Sequence, residues 1–455
     1  MTSQRIFILN ASIVNDGRIF IGDVLIENGI IQSISSALNG GLSCLIRNGD
    51  KHIDARGKYL FPGVIDDHVH FRDPGLTAKA DIFTESRAAV AGGITSFMEM
   101  PNTVPKVFTR DLLEKKFKIA SKKSLANYSF YIGASNDNLE EILKTNPSEV
   151  CGVKLFLGAS TGNMLVDDTE TLNKLFAKSP LLIAVHCEDE EIIQKNIKNF
   201  KDKYGEDVLF SAHPEIRSEE ACFRSSSKAV GLAKKHNSRL HLLHLSTAKE
   251  LELIDNTIPL KDKKITAEVC VHHLIFNNSD YSKLGSLIKW NPAIKTSNDQ
   301  QKLFEGLLNN TIDLIATDHA PHKLEEKQNT YFNAPSGGPM IQHSLPIMLD
   351  FYHEKKICLE TIVDKMCHAP ANCFKIEKRG FIREGYWADL VILDLNSPWE
   401  VNKKNILYKC QWSPVEGRAL KSKVTHTFVN GNLVYENGKI DERRRGQRLR
   451  FVRND

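Results

Sequence analysis

The sequence predicts an α/β protein, a (β/α)8 TIM-type barrel carrying a small β-sandwich built from both chain ends. Three observations carry that expectation. From about Leu60 to Lys375, eight strand-like segments alternate with helix-like ones, the order that gives a parallel sheet wrapped by helices. On either side of that middle, short β-rich runs are punctuated by Asn-Gly and Asp-Gly pairs with no helix between them. No G-x-G-x-x-G follows the first strand, which lowers the alternative of a doubly wound open sheet.

Taken in order, residues 6–9, 24–26 and 30–34 read as strands broken by Asp16-Gly17 and Asn28-Gly29, pairs that tolerate the positive φ of tight hairpins. The middle offers strands at 60–65, 94–98, 128–132, 152–156, 181–185, 240–243, 265–269 and 313–316. Helical stretches at 81–91, 111–121, 169–177, 218–235 and 299–308 lie between them, several with Asn or Asp near the start. Residues 388–393 form a strong strand, and two further Asn-Gly turns follow at Asn430 and Asn437. The expected divisions are 1–58 and 377–455 for the two halves of the sandwich, with 59–376 as the barrel.

Composition excludes several classes. The 455 residues are 41% hydrophobic and 25% charged, as in ordinary globular proteins, and the net charge of +4 implies no nucleic-acid partner. Part of the excess sits in a tail with Arg443, Arg444, Arg445, Arg448, Arg450 and Arg453, expected to be a solvated end or to pack on a partner subunit. The first ten residues lack a secretory apolar core, and no run is long enough to span a bilayer. Nine irregularly spaced cysteines with no C-x-x-C read as reduced thiols, so the expected location is cytoplasmic.

The chemistry gathers at strand ends, where barrels place their sites. His68 and His70 stand one residue apart at the end of the first strand, so their imidazoles share a side and can hold one ion. Arg72 follows, a fixed cation that suggests an anionic substrate. Glu99 and Asn102 follow the second strand, Lys154 lies in the fourth, and His186 and His244 end the fifth and sixth. Asp318, His319 and His322 end the eighth. His241, His272 and His273 are decoys or outer groups. The plainer reading of Arg72 is a salt bridge to Asp73 or Glu99. Two divalent ions among neutral imidazoles would leave excess positive charge, and a carbamate on Lys154 would supply a bridging anion for metals ~3.5–4 Å apart.

H-V-H-F-R-D-P-G, M-E-M-P-N-T, G-V-K-L-F, H-C-E, H-L-S-T and T-D-H-A-P-H, in that order, resemble the amidohydrolase superfamily and, within its cyclic-amide branch, the dihydroorotases. The resemblance implies two zinc ions per chain, one held by His68, His70 and Asp318, the other by His186 and His244, with carboxylated Lys154 bridging them. It implies reversible closure of N-carbamoyl-L-aspartate to L-dihydroorotate in pyrimidine (UMP) synthesis. In hydrolysis, the metal-bridging hydroxide attacks the ring amide carbonyl, and Asp318 carries the proton to the departing nitrogen. Arg72, Asn102 and His322 would bind the substrate carboxylate, and Asn291 and the backbone near Gly337 the ring. The chain departs from the family pattern at Ser336, where a bulkier residue is usual, and after Gly337.

Allantoinase and dihydropyrimidinase look similar at the metal ligands but lack the Arg72-Asp73-Pro74-Gly75 sequence. A metal-free, non-catalytic partner of aspartate carbamoyltransferase would miss ligands, and this chain misses none. The expected partner is the small-molecule substrate, with no nucleic acid and no membrane. A homodimer and an association with aspartate carbamoyltransferase stay open.

Overall fold

Turn chemistry builds the terminal sheet. In the computed structural model, which describes residues 5–36, 41–158 and 164–452, the pairs Asp16-Gly17, Asn28-Gly29, Asn430-Gly431 and Asn437-Gly438 turn with positive φ at both positions. Each closes a two-residue hairpin, so that Asn15 faces Arg18, Glu27 faces Ile30, Val429 faces Asn432 and Glu436 faces Lys439. The resulting sheet takes strands from both ends. Its order is Lys439–Ile440, Asn432–Glu436, Lys423–Val429, Leu390–Asp394, Tyr59–Pro62, Arg5–Asn15, Arg18–Glu27 and Ile30–Ser36, with Lys51–Asp54 also pairing on Arg5–Asn15. One face buries Ile6, Ile8, Ile13, Val24, Ile26, Leu60, Leu390, Ile392 and Phe428 together.

The expected first strand at 60–65 is in fact two. Tyr59–Pro62 belongs to the terminal sheet, parallel to Arg5–Asn15 and antiparallel to Leu390–Asp394. Val64–Val69 opens the parallel set instead. Unbroken apolarity across Gly63 hides this change of sheet, because both strands are buried on both faces.

The parallel strands otherwise match the expected eight in order. Val64–Val69, Ile94–Glu99 and Asn127–Phe130 form one sheet. Ile132–Gly133, Val153–Phe156, Ile183–His186, Leu240–Leu242, Ile265–Cys270 and Leu314–Ala316 form another. Only Tyr131 separates the two at one side, and at the other Val69 bridges His319, with the His70 N–H donating to the His319 carbonyl at 2.7 Å. The intervening helices begin where short polar side chains satisfy their first N–H groups: Asp81, Thr109, Asp168, Asp189, Ser218 and Thr296 all cap in this way. The helices Glu190–Tyr204 and Ser344–His353 are additional to those expected.

The arginine tail corrects another expectation. Residues 446–452 are not a solvated end, because they are bonded back onto the chain. The Gly446 N–H donates to Ser124, Leu449 to Tyr128, Phe451 to Ser148 and Val452 to Lys375, all at 2.8–3.1 Å. Leu449 and Phe451 are buried with Ile65, Met98, Tyr131, Ala184, Leu314 and Phe374 inside the parallel strands. Arg448 stacks 3.5 Å over the Phe117 ring and pairs with Glu114 at 2.8 Å, and Arg450 pairs with Glu149. Arg443, Arg444 and Arg445 remain exposed, the first two beside Asp441, and Arg450 is exposed beside Glu149, while Arg453 lies outside the described residues. All nine cysteines are free thiols, and no helix among the described residues is long and apolar enough to cross a membrane.

Candidate active site

The carboxyl ends of the parallel strands bring their polar residues to one small cavity. His68, His70, Arg72, Lys154, His186, His244, Asn291, Asp318 and Gly337 line it, together with Phe156, Trp290, Ala320 and Ser336. The histidines, Lys154 and Asp318 come from strands and strand ends far apart in sequence that the parallel register brings together, whereas residues 290–291 and 336–337 come from connecting segments. Asn102 and His322 do not line the cavity but hold residues that do. Asn102 Oδ1 accepts from His70 Nδ1 at 2.8 Å, and His322 Nε2 lies 3.0 Å from an Arg72 terminal nitrogen.

The first ligand group is tightly drawn. Asp318 Oδ1 lies 3.0 Å from His70 Nε2 and 3.3 Å from His68 Nε2, all three residues being buried. Burial drives His70 down to about 4 against the pull of Asp318, keeping the ring neutral and its nitrogen a ligand. Burial also works against the Asp318 charge, but His68 and His70 outweigh it and hold the carboxyl at about 2. Asp318 and His244 both sit at positive φ, 43° and 39°, a conformation unusual for non-glycine residues and common where side chains are aimed at a site.

The second group is His186 and His244, whose Nδ1 and Nε2 approach to 2.9 Å. His244 Nδ1 is buried with no hydrogen-bond partner. Two facing imidazoles, an orphaned ring nitrogen and three convergent N/O ligand atoms nearby form a donor set suited to divalent zinc. Lys154, 1% exposed, stands between the groups, its ammonium lowered by burial to about 8 although Asp318 and Glu268 favour its charge.

The plainer reading of Arg72 does not hold. Asp73 pairs with Lys123 at 2.7 Å and Glu99 with Lys116 at 3.1 Å. Arg72 instead donates from Nε to the Pro321 carbonyl at 3.2 Å and contacts His322, and among the described residues no carboxylate lies within ion-pair distance of its buried charge. Gly337, at φ 120°, forms the opposite wall, where a Cβ would stand 2.6 Å from the Ala320 carbonyl oxygen.

Sequence reasoning missed Glu268. This carboxylate in the seventh strand accepts from His68 Nδ1 at 2.6 Å and from the His244 backbone N–H at 3.0 Å, so it orients both groups. Alternation from Thr266 would have placed it inward, but a lone Glu in an apolar strand has no motif around it. His241 proves to be an outer group. It lies 3.2 Å from Glu268 and 3.3 Å from Asp67, and these carboxylates hold its charge against burial. His272 stacks on Trp290 with centroids 4.2 Å apart, and His319 turns away to Glu85 at 2.8 Å. Behind His186, Glu188 is clamped by Arg217 and held at about 2 despite burial.

Comparison with known proteins adds independent findings. A model of the amidohydrolase family matches residues 59–434. The chain is similar to the dihydroorotase of Methanothermobacter thermautotrophicus, 31% identical over 396 residues covering 87% of this chain and 88% of that one. It is also similar to the dihydroorotase of Pyrococcus furiosus, 32% identical over 446 residues covering 97% and 95%. Among solved structures it resembles the L-hydantoinase (dihydropyrimidinase) from Arthrobacter aurescens, with a TM-score of 0.89 and 28% identity over 96% of this chain and 97% of that one.

Proposed function

The chain belongs to the amidohydrolase family and is a hydrolase acting on cyclic amides, and from that premise we propose that it is a dihydroorotase, interconverting L-dihydroorotate and N-carbamoyl-L-aspartate in pyrimidine synthesis. The observation that carries this reading is Arg72, a buried guanidinium in the wall of the ligand-lined cavity with no carboxylate within ion-pair distance among the described residues. A ring bearing a carboxylate completes it. Allantoin and dihydrouracil bear none.

We read the two parallel sheets as one (β/α)8 barrel closed through Tyr131 and the Val69–His319 bridge, with residues 1–58 and 377–455 forming the sandwich. His68, His70 and Asp318 would hold one zinc ion and His186 and His244 the other, with carboxylated Lys154 between them. Bound there, two divalent ions supply Lewis acidity to the ring carbonyl and lower the pKa of water toward about 7. Asp318 accepts the proton of the attacking water at its carboxylate and returns it to the ring nitrogen as the amide C–N bond breaks. Arg72 holds the substrate carboxylate through paired N–H donors while His322 and Asn102 fix Arg72 and His70 from behind. Asn291, whose buried Oδ1 lacks a partner, and Gly337 face the ring.

A second reading, a dihydropyrimidinase-type hydrolase, is favoured by the likeness to the hydantoinase structure. One experiment separates the two. Purified protein is assayed for hydrolysis of L-dihydroorotate in ultraviolet absorbance, with allantoin and dihydrouracil in parallel and metal content measured on the same sample. Turnover of dihydroorotate alone with about two zinc per chain is expected. Preference for dihydrouracil would overturn the substrate assignment, and absence of metal would favour a non-catalytic partner of aspartate carbamoyltransferase.

A further inference from the structure

Two lysines close to the cavity have no role in the chemistry above. Lys327 is 0% exposed and Lys289 7% exposed, and among the described residues neither has a carboxylate within ion-pair distance. An ammonium kept in the interior without a counter-ion is expensive, so its retention calls for a reason. Both spend their donors on backbone carbonyls of one segment. Lys289 Nζ donates to Tyr331 and Ala334, each at 2.6 Å, and Lys327 Nζ donates to Pro335 and Gly337, each at 2.8 Å. The Gly337 N–H in turn donates to the Lys289 carbonyl at 2.8 Å.

We propose that Lys289 and Lys327 are positioning residues, a paired lysine clamp that sets the wall at 331–337 and through it the orientation of Arg72 toward the substrate carboxylate. The path is short. Between the two carbonyls gripped by Lys327 lies Ser336, whose carbonyl accepts from His322 Nε2 at 3.0 Å, and that nitrogen lies 3.0 Å from the Arg72 guanidinium. Lys79 Nζ contacts the other side of the ring, Nδ1, at 3.0 Å, and Trp412 Nε1 donates to the His322 carbonyl at 2.8 Å. The His322 ring is thus held between donors on one side and the clamped segment on the other. Freed from the clamp, Ser336 would shift, and His322 and Arg72 with it.

This inference rests on the dihydroorotase reading, and its test distinguishes the two. Metal-loaded Lys327→Met and Lys289→Met are compared with the wild type for metal content, Tm, and KM and kcat in both directions. The expected result is a rise of about tenfold in KM for L-dihydroorotate and for N-carbamoyl-L-aspartate, with kcat within about threefold and metal content unchanged. Because the clamp acts through Arg72, adding Lys327→Met to Arg72→Met should raise KM by no more than about twofold further. Unchanged KM in a folded variant, a lowered Tm with unaltered kinetics, or full additivity in the double variant would each overturn the clamp. Lys289→Gln, which keeps an N–H donor group but not the amine, carries the same test should the methionine variants fail to fold. A wild type inactive on both compounds removes the dihydroorotase reading itself, whereas an active wild type with unaffected variants removes only the clamp.

Discussion

Replacing Arg72 by methionine tests the assignment where it is most exposed to error. The guanidinium is 3% exposed, its Nε donating to the Pro321 carbonyl and one terminal nitrogen lying 3.0 Å from His322 Nε2. A carboxylate in the cavity therefore meets a prepaid orientation, and each charge-assisted hydrogen bond it forms is worth about 1.5–3 kcal/mol. A two-point contact puts the loss on truncation at about 3–6 kcal/mol, or about two to four powers of ten in kcat/KM at about 1.4 kcal/mol per decade. The carboxylate does not change its charge as the ring opens. Its grip is equal in ground and transition states, so the loss should fall on KM and leave kcat within a few-fold. Initial rates of L-dihydroorotate hydrolysis followed in ultraviolet absorbance across a wide substrate range give both constants. A variant with wild-type KM, or one that lost only kcat, would refute the carboxylate clamp and with it the reason for preferring this substrate.

Other substitutions read other parts of the site. Asp318→Asn should keep most bound metal yet lose about 10²–10⁴ in kcat, as expected for a proton carrier, and near-normal turnover would remove it from the mechanism. Glu268→Gln weakens the anionic acceptor 2.6 Å from His68 Nδ1 and should lower metal affinity about 10–100-fold in a chelator competition; an unaltered affinity would make Glu268 a packing group only. Leu449→Ala, in a side chain with no exposure, should cost about 2–5 kcal/mol in denaturant unfolding of the metal-loaded protein, whereas a negligible loss would mean the tail contributes little to the core.

The parts legible in the sequence were those written locally. Asn28-Gly29 and Asn430-Gly431 announce their turns by residue type, and strand-to-helix alternation places His68, His70, His186, His244 and Asp318 at corresponding ends. What was not legible depends on contacts between distant residues. Nothing near Glu268 marks it as the acceptor for an imidazole 200 positions earlier. The change of sheet at Gly63 is invisible because an apolar strand reads alike in either sheet. The tail's arginines suggested solvent, since charge is read one residue at a time, while Leu449 and Phe451 between them do the anchoring. Lys289 and Lys327 look like any surface lysines until their carbonyl partners are seen.

That anchoring tail also sets an order on biosynthesis. Tyr128 exchanges backbone hydrogen bonds with Gln447 and Leu449, more than three hundred positions downstream, and Tyr59–Pro62 lies between Arg5–Asn15 and Leu390–Asp394. On a ribosome making the chain from its amino end, neither the third parallel strand nor the two-ended sheet can acquire its full set of neighbours until almost all of the polypeptide has emerged. The catalytic half is thus made long before the segment that seals its interior. A nascent chain stalled near residue 440 should expose the apolar floor around Ile65, Met98 and Phe374 and depend on chaperones for as long as the pause lasts.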